Sequence, residues 1–133
     1  MSIKQTAVSF DDVLLTPQYS NIRSRSEISL DVVLKNIPNM RLPIFSSPMD
    51  TVTESETALQ AARSGGIGIV HRYNSPIEQA EMVSRVSEAF SETSTEGYRT
   101  IGAAVGVTGD YMERAKKVFQ AGARLICVDV AHG

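Results

Sequence analysis

Asp129 has the setting most suited to chemistry. It lies near the end of RLICVDV, residues 124–130, where apolar side chains read as a buried strand, and Ala131, His132 and Gly133 read as the turn that follows. Parallel α/β folds bind ligands beyond the carboxyl ends of their strands. A carboxylate there accepts ribose hydroxyls or an amide, or else caps the loop. Strand alternation puts Leu125, Cys127 and Asp129 on one face. Cys127 is flanked by aliphatic residues, so it reads as a small core hydrophobe whose raised pKa suppresses thiolate. SSPMD, residues 46–50, also ends an apolar run. Its hydroxyls either bind a polar ligand or cap the loop, and no G-x-S-x-G elbow supports hydrolase chemistry. His71 and His132 each sit at a strand end without Asp, Glu or Cys at metal-ligand spacing, and read as surface or capping histidines. No metal site is expected. The glycines of SGGIGIV and IGAAVGVTGD match neither G-x-G-x-x-G nor G-x-x-x-x-G-K-[ST], and read as turns and close helix-to-strand packing.

These residues need a scaffold, and the pattern from residue 43 supplies one. Short apolar runs at LPIFSS, GIGIVH, TIGAAVGV and RLICVDV are expected strands, and helical segments follow the first three. Thr53 with Glu56, Ser75 with Glu78, and (more loosely) Asp110 with Glu113 have capping-box spacing. Pro76 suits a first helical position, and Gly65 and Gly122 fall where helices should end. The second helix should bury Ile77, Ala80, Val83, Val86 and Phe90, and the third Met112, Ala115, Val118 and Phe119. Residues 1–42 look irregular, with a strand in EISLDVVL, residues 27–34, and turns at TPQYSN and KNIPN. The β-α-β-α-β-α-β order argues for a parallel sheet with right-handed crossovers. An open doubly wound sheet and half of a (β/α)8 barrel both fit the local pattern, and the general prior favours the open sheet.

The bulk properties exclude several classes. With 133 residues, 42% hydrophobic and 21% charged, the chain is one globular domain or a piece of a larger one. The net charge of −2 is interspersed, so no basic patch points to nucleic acid. The N-terminus has no apolar run of signal-peptide or membrane-span length. A single cysteine rules out an internal disulfide, and a cytoplasmic location is expected.

SFDDVLLTPQYS, PIFSSPMDTVTES, GGIGIVHRYNS, IGAAVGVTGDYMERA and VDVAHG occur in that order across nearly the whole chain. In this the chain resembles the IMP dehydrogenases and their relatives, the GMP reductases; the SSPMDTVTE and GAAVG blocks are the most specific. The resemblance reverses the architectural prior. It implies a fold class of α/β, half of a (β/α)8 TIM barrel holding strands one to four over residues 43–133, with residues 1–42 packing outside it. It implies that Ser47 and Met49 contact the nucleotide, and that Asp129 contacts the ribose at the nicotinamide end of NAD. Arg72, where relatives carry a His or Lys, would stand near that cofactor. The family reaction oxidises IMP to XMP: a thiolate adds to the purine C2, hydride passes to NAD⁺, and water releases the product. Cys127 does not match the family's catalytic cysteine, which belongs to the other half-barrel, so the isolated chain is expected to be inactive. The short interval SETSTEGYRT leaves no place for the CBS-type regulatory pair found in many relatives.

IGAAVGVTGD and DVAHG look more like IMP dehydrogenase. IRSRSE and the missing insert look more like GMP reductase, which would use NADPH to convert GMP to IMP. The dehydrogenase is the preferred reading. The expected partners are a purine nucleotide and the C-terminal half of the barrel, and homo-oligomerisation is expected because an unfinished barrel leaves open sheet edges. A noncatalytic half-barrel serving binding or assembly is the reading of another class.

Overall fold

The computed structural model describes residues 8–91 and 100–131. A hairpin comes first, β1 (Val32–Leu34) antiparallel to β2 (Ile37–Met40). Asn36 makes the turn at φ 64°, a left-handed position that Asn tolerates. The strand expected over 27–34 is thus shorter, and three of the five residues of the expected turn KNIPN are strand. Pro38 masks β2 in the sequence. It is accommodated because among the described residues β2 pairs only with β1, and an edge strand does not need every N–H.

The parallel part follows in the order α1 (Ser55–Arg63), β3 (Gly68–Val70), α2 (Pro76–Ser91), β4 (Ile101–Val105), α3 (Tyr111–Gln120) and β5 (Leu125–Val128). β3, β4 and β5 form a parallel sheet in sequence order. The strand expected at LPIFSS is reduced to one parallel bridge, Phe45 to Ile67. Pro43 and Pro48 leave little ladder between them. The Ser46 Oγ also takes the Ile69 amide at 3.0 Å, so a side chain ends the pairing that backbone would have continued.

All three helices pack on one side of this sheet. Ala58, Ala62, Val83, Val86, Phe90 and Val118 meet Val70, Ile101 and Ala103 in the larger core. On the opposite face Ile67, Ile69 and Ala104 pack with Met40 of the hairpin, flanked by Leu125 and Cys127. A doubly wound sheet carries helices on both faces and reverses its strand order. Sequential order with the helices on one face is instead consistent with part of a barrel. α1 approaches closely because Gly68 lacks a side chain; a Cβ there would lie 2.3 Å from the Ala58 Cα. α2 ends at Ser91 and β4 begins at Ile101, too short an interval for a domain pair. Among the described residues no helix is long and apolar enough to cross a membrane.

The helix signals divide. Ser75 and Glu78 cap α2 reciprocally, at 2.8 and 3.2 Å, and Gly65 (φ 90°) and Gly122 (φ 118°) follow the ends of α1 and α3. The other two capping boxes do not form. Thr53 is buried and spends its hydroxyl on the Ser47 carbonyl, so Glu54 becomes the N-cap of α1. Asp110 caps α3 only by position, because its carboxylate is held by Arg114. Ile77, Met112 and Phe119, expected in the core, are exposed. The cause is polar. Arg114 is buried on the inner face of α3 and makes five hydrogen bonds, to both carboxylate oxygens of Asp110, the Asn74 carbonyl and side-chain oxygen, and the Gln79 Oε1. A hydropathy count turns Arg outward, and that sets the apparent stripe on the wrong side of α3.

Gln79, fully buried, completes the network by donating to the Val70 carbonyl at 3.2 Å and the Ala104 carbonyl at 2.9 Å. Gln79→Leu should destabilise the fold by about 2–3 kcal/mol, read from the urea midpoint, because buried polar partners are left unpaired. The Arg114 hydrogen bond and charge hold the Asp110 carboxyl below its usual 3.8. A carboxylate with a lowered folded pKa stabilises above its unfolded value and loses that contribution as pH falls through the folded one. Denaturation midpoints should therefore drop more steeply below about pH 4 in the wild type than in Asp110→Asn.

Candidate site at the carboxyl rim of the strands

Three pieces of chain meet beyond the carboxyl ends of the strands. The first is the turn at residues 46–53. It is closed by the Met49 amide on the Ser47 carbonyl (2.8 Å), the Thr53 amide on the Met49 carbonyl (3.2 Å) and the Thr53 hydroxyl on the Ser47 carbonyl (2.6 Å). Thr51 sits at φ 58°, an uncommon and costly place for a β-branched residue. The second piece is His71-Arg72-Tyr73 after β3, tied to the turn by the His71 amide on the Thr53 carbonyl at 3.2 Å. The third is Asp129 after β5, whose amide bonds the Val105 carbonyl at 2.9 Å.

Arg72 and Asp129 are 57 residues apart in the chain and meet here. The guanidinium donates from Nε to the Asp129 Oδ2 and from Nη2 to the Asp129 carbonyl, both at 3.0 Å. Each side chain is about one-third exposed, so the pair is held more firmly than a surface ion pair. Beside it lies a cleft of about 360 Å³ lined by Pro48, Met49, Asp50, Tyr73 and Asp129. The geometry thus unites Met49 and Asp129 in one cleft, with Arg72 as the partner of Asp129. Ser47 belongs to the same turn but does not line the cleft, and its carbonyl serves the turn itself. A larger groove, about 430 Å³, runs between α1 and α2 past Leu59, Met82 and Arg85, and shares none of these four residues.

Of the surface and capping readings of His71, the structure excludes the first and supports the second. Only 2% of His71 is exposed. Its Nδ1 accepts the Tyr73 amide at 3.1 Å, a local capping role, which leaves the ring proton on Nε2. Nε2 is buried, has no hydrogen-bond partner among the described residues, and lies 3.8 Å from carboxylate oxygens of both Asp50 and Glu54. Local spacing missed this cluster because the acids precede the histidine by a whole helix and strand. The i, i+4 spacing of Asp50 and Glu54 is visible in the sequence, but nothing there ties them to His71. Tyr73 was missed too; its ring is exposed, with the Arg72 guanidinium 5.5 Å from its centre. His132 lies outside the described residues. Cys127 is half-buried below the rim, and burial, with the Asp129 charge second, pushes its thiol pKa up. That matches the structural role expected for it.

The resident groups fit a ribose-bearing ligand. Arg72 occupies Oδ2 and the carbonyl of Asp129; among the described residues Oδ1 has no partner and can accept a hydroxyl. The cleft is within the usual size range of small-molecule sites.

The family model described as "IMP dehydrogenase / GMP reductase domain" matches residues 7–133. An inosine-5'-monophosphate dehydrogenase of Nitrosopumilus maritimus is 48% identical over 84 residues, 63% of this chain and 18% of the relative. A GMP reductase of Leishmania donovani is 46% identical over 84 residues, 63% of this chain and 17% of the relative. An inosine-5'-monophosphate dehydrogenase of Cryptosporidium parvum is 34% identical across 95% of this chain and 40% of its own length. The chain therefore spans less than half the length of these relatives. The match over residues 7–133 makes the chain a member of the IMP dehydrogenase / GMP reductase domain family.

Proposed function

We propose that these residues form the first half of a (β/α)8 barrel, strands one to four, of an IMP dehydrogenase-like enzyme that oxidises IMP to XMP with NAD⁺. The observation that carries this reading is the rim itself: Met49 and Asp129 line one cleft, and Arg72 clamps Asp129 from the side. In this reading Met49 and Ser47 lie against the purine nucleotide, Ser47 after a small opening of the turn. The Asp129 Oδ1 accepts a ribose hydroxyl of the dinucleotide, while Arg72 holds the carboxylate in place. Bound NAD⁺ supplies the hydride-accepting ring; this chain's residues bind and orient. The hairpin and the rest of residues 1–42 would lie outside the barrel, with Met40 closing its floor.

The nucleophile is not among these residues. Cys127 is the chain's one cysteine, its thiol pKa is raised, and it lies on the strand below Asp129 rather than in a mobile loop. Covalent addition to the purine needs a thiolate. These 133 residues alone should therefore turn over no nucleotide and need the C-terminal half of a barrel as partner. Homo-oligomerisation is part of the same proposal, supported by the exposed Ile126 and Val128 on β5, whose outer edge has no paired strand among the described residues. GMP reductase is the second reading, favoured by the nearly equal identity of the Leishmania protein.

The test joins the chain to a complementary second half-barrel from a relative. NADH appearing with IMP and NAD⁺ is the expected result. Turnover of GMP with NADPH instead selects the reductase, and a stable complex that turns over neither nucleotide supports a binding or assembly module. In the active assembly, Asp129→Asn should raise the KM for NAD⁺ by about 10- to 100-fold, the worth of a charged hydrogen bond, and move the KM for IMP much less.

A further inference from the structure

We propose that Asp50, Glu54 and His71 form a binding site for a divalent transition-metal cation such as zinc. Ligand atoms from the three residues lie within 4.8 Å of one another. The His71 Nε2 is the buried, unpartnered atom aimed between the two acids, 3.8 Å from each carboxylate. That distance is too long for a hydrogen bond, yet it leaves no room for a water in line between the atoms. Two ligands of one tetrahedral zinc, each about 2.1 Å from the ion, stand about 3.4 Å apart, so a bare cation needs only a small inward movement of side chains.

Backbone, rather than surface rotamers, brings the set together. Thr53 bonds the His71 amide through its carbonyl, and the turn closed on Met49 carries Asp50 on one side of it and Glu54 on the other. Both acids are more than half exposed and can close on an ion without disturbing the core. Two carboxylates and a neutral imidazole cancel a divalent charge. The nitrogen donor favours zinc or cobalt over manganese, calcium or magnesium. Three protein ligands leave a fourth position for water or a ligand oxygen, and Asp50 also lines the rim cleft, so that position borders it.

Coordination has a cost that can be observed. A metal on Nε2 displaces the ring proton to Nδ1, and Nδ1 then ceases to accept the Tyr73 amide. Loading the site should release that amide. The inference does not rest on the nucleotide reading, and nucleotide turnover does not test it.

The experiment titrates the full 133-residue chain with Zn²⁺ by calorimetry and with Co²⁺ by visible absorption, while amide exchange at Tyr73 is followed by NMR. One ion per chain should bind, an intensified four-coordinate cobalt band should appear, and Tyr73 exchange should accelerate on Zn²⁺ loading. Asp50→Asn and Glu54→Gln, both at exposed positions that should keep the fold, should each weaken binding at least about tenfold. Absence of saturable binding overturns the proposal and leaves His71 as a donor to one of the acids. Equal affinity in Glu54→Gln, or binding that leaves the Tyr73 amide untouched, overturns it as well.

Discussion

The amide of Gln79 is the contact on which the rest of this fold turns. It is fully buried and lies between the carboxyl-terminal ends of β3 and β4, donating to the carbonyls of Val70 and Ala104. Strand ends in a parallel sheet leave carbonyls that a helical crossover must cover, and a covered carbonyl needs a donor. Gln79 supplies it from α2. Its own oxygen then requires a donor in that same dry space, which Arg114 provides from α3. A buried guanidinium has further N–H groups to satisfy, and Asn74 and Asp110 take them. One amide thus sets the phase of two helices.

That phase has consequences at the rim. Asn74 belongs to the loop that carries His71, Arg72 and Tyr73, so the polar network holds the base of the segment from which Tyr73 lines the cleft. Arg72 is anchored at its far end by Asp129, across the whole width of the three-stranded sheet. A loop fixed at its root and at its tip presents a rigid rim, the property a binding site needs. The turn at residues 46–53 is held in the same way, through the Thr53 hydroxyl, the Thr53 carbonyl and the Ser46 hydroxyl. Small hydroxyl residues that looked in the sequence like ligands or caps are here mostly fasteners. Ser46 replaces a rung of the sheet, and Thr53 closes the turn that bears Met49.

The two faces of the sheet divide the labour. The helix-bearing face holds the larger core, in which Ala58, Ala103 and the glycine at 68 allow close approach. The opposite face holds a smaller cluster around Ile67, Ile69 and Ala104, covered in part by Met40. The rim groups stand where these faces meet solvent. Burial there is partial, enough to strengthen the Arg72–Asp129 pair and to raise the Cys127 thiol pKa, while Met49 and Tyr73 remain open to a ligand.

Much was legible in the sequence because it depends on neighbours along the chain. The alternation from α1 to β5, the Ser75–Glu78 cap, the first-turn proline and the terminal glycines follow from short-range geometry, and these are present. Asp129 could be singled out because a carboxylate after an apolar strand is conspicuous by position alone. The family blocks were equally visible. What the sequence could not disclose arose from contacts between distant residues. Hydropathy turns Arg114 outward, and only Gln79, 35 residues earlier, explains why it is inside. Thr53 has capping spacing, and only the Ser47 carbonyl reveals where its hydroxyl goes. His71 looks like a surface residue until the turn at Asp50 and the first turn of α1 close over it. Local propensity is additive along the chain; the satisfaction of buried polar groups is settled in three dimensions, where one partner's position decides the other's.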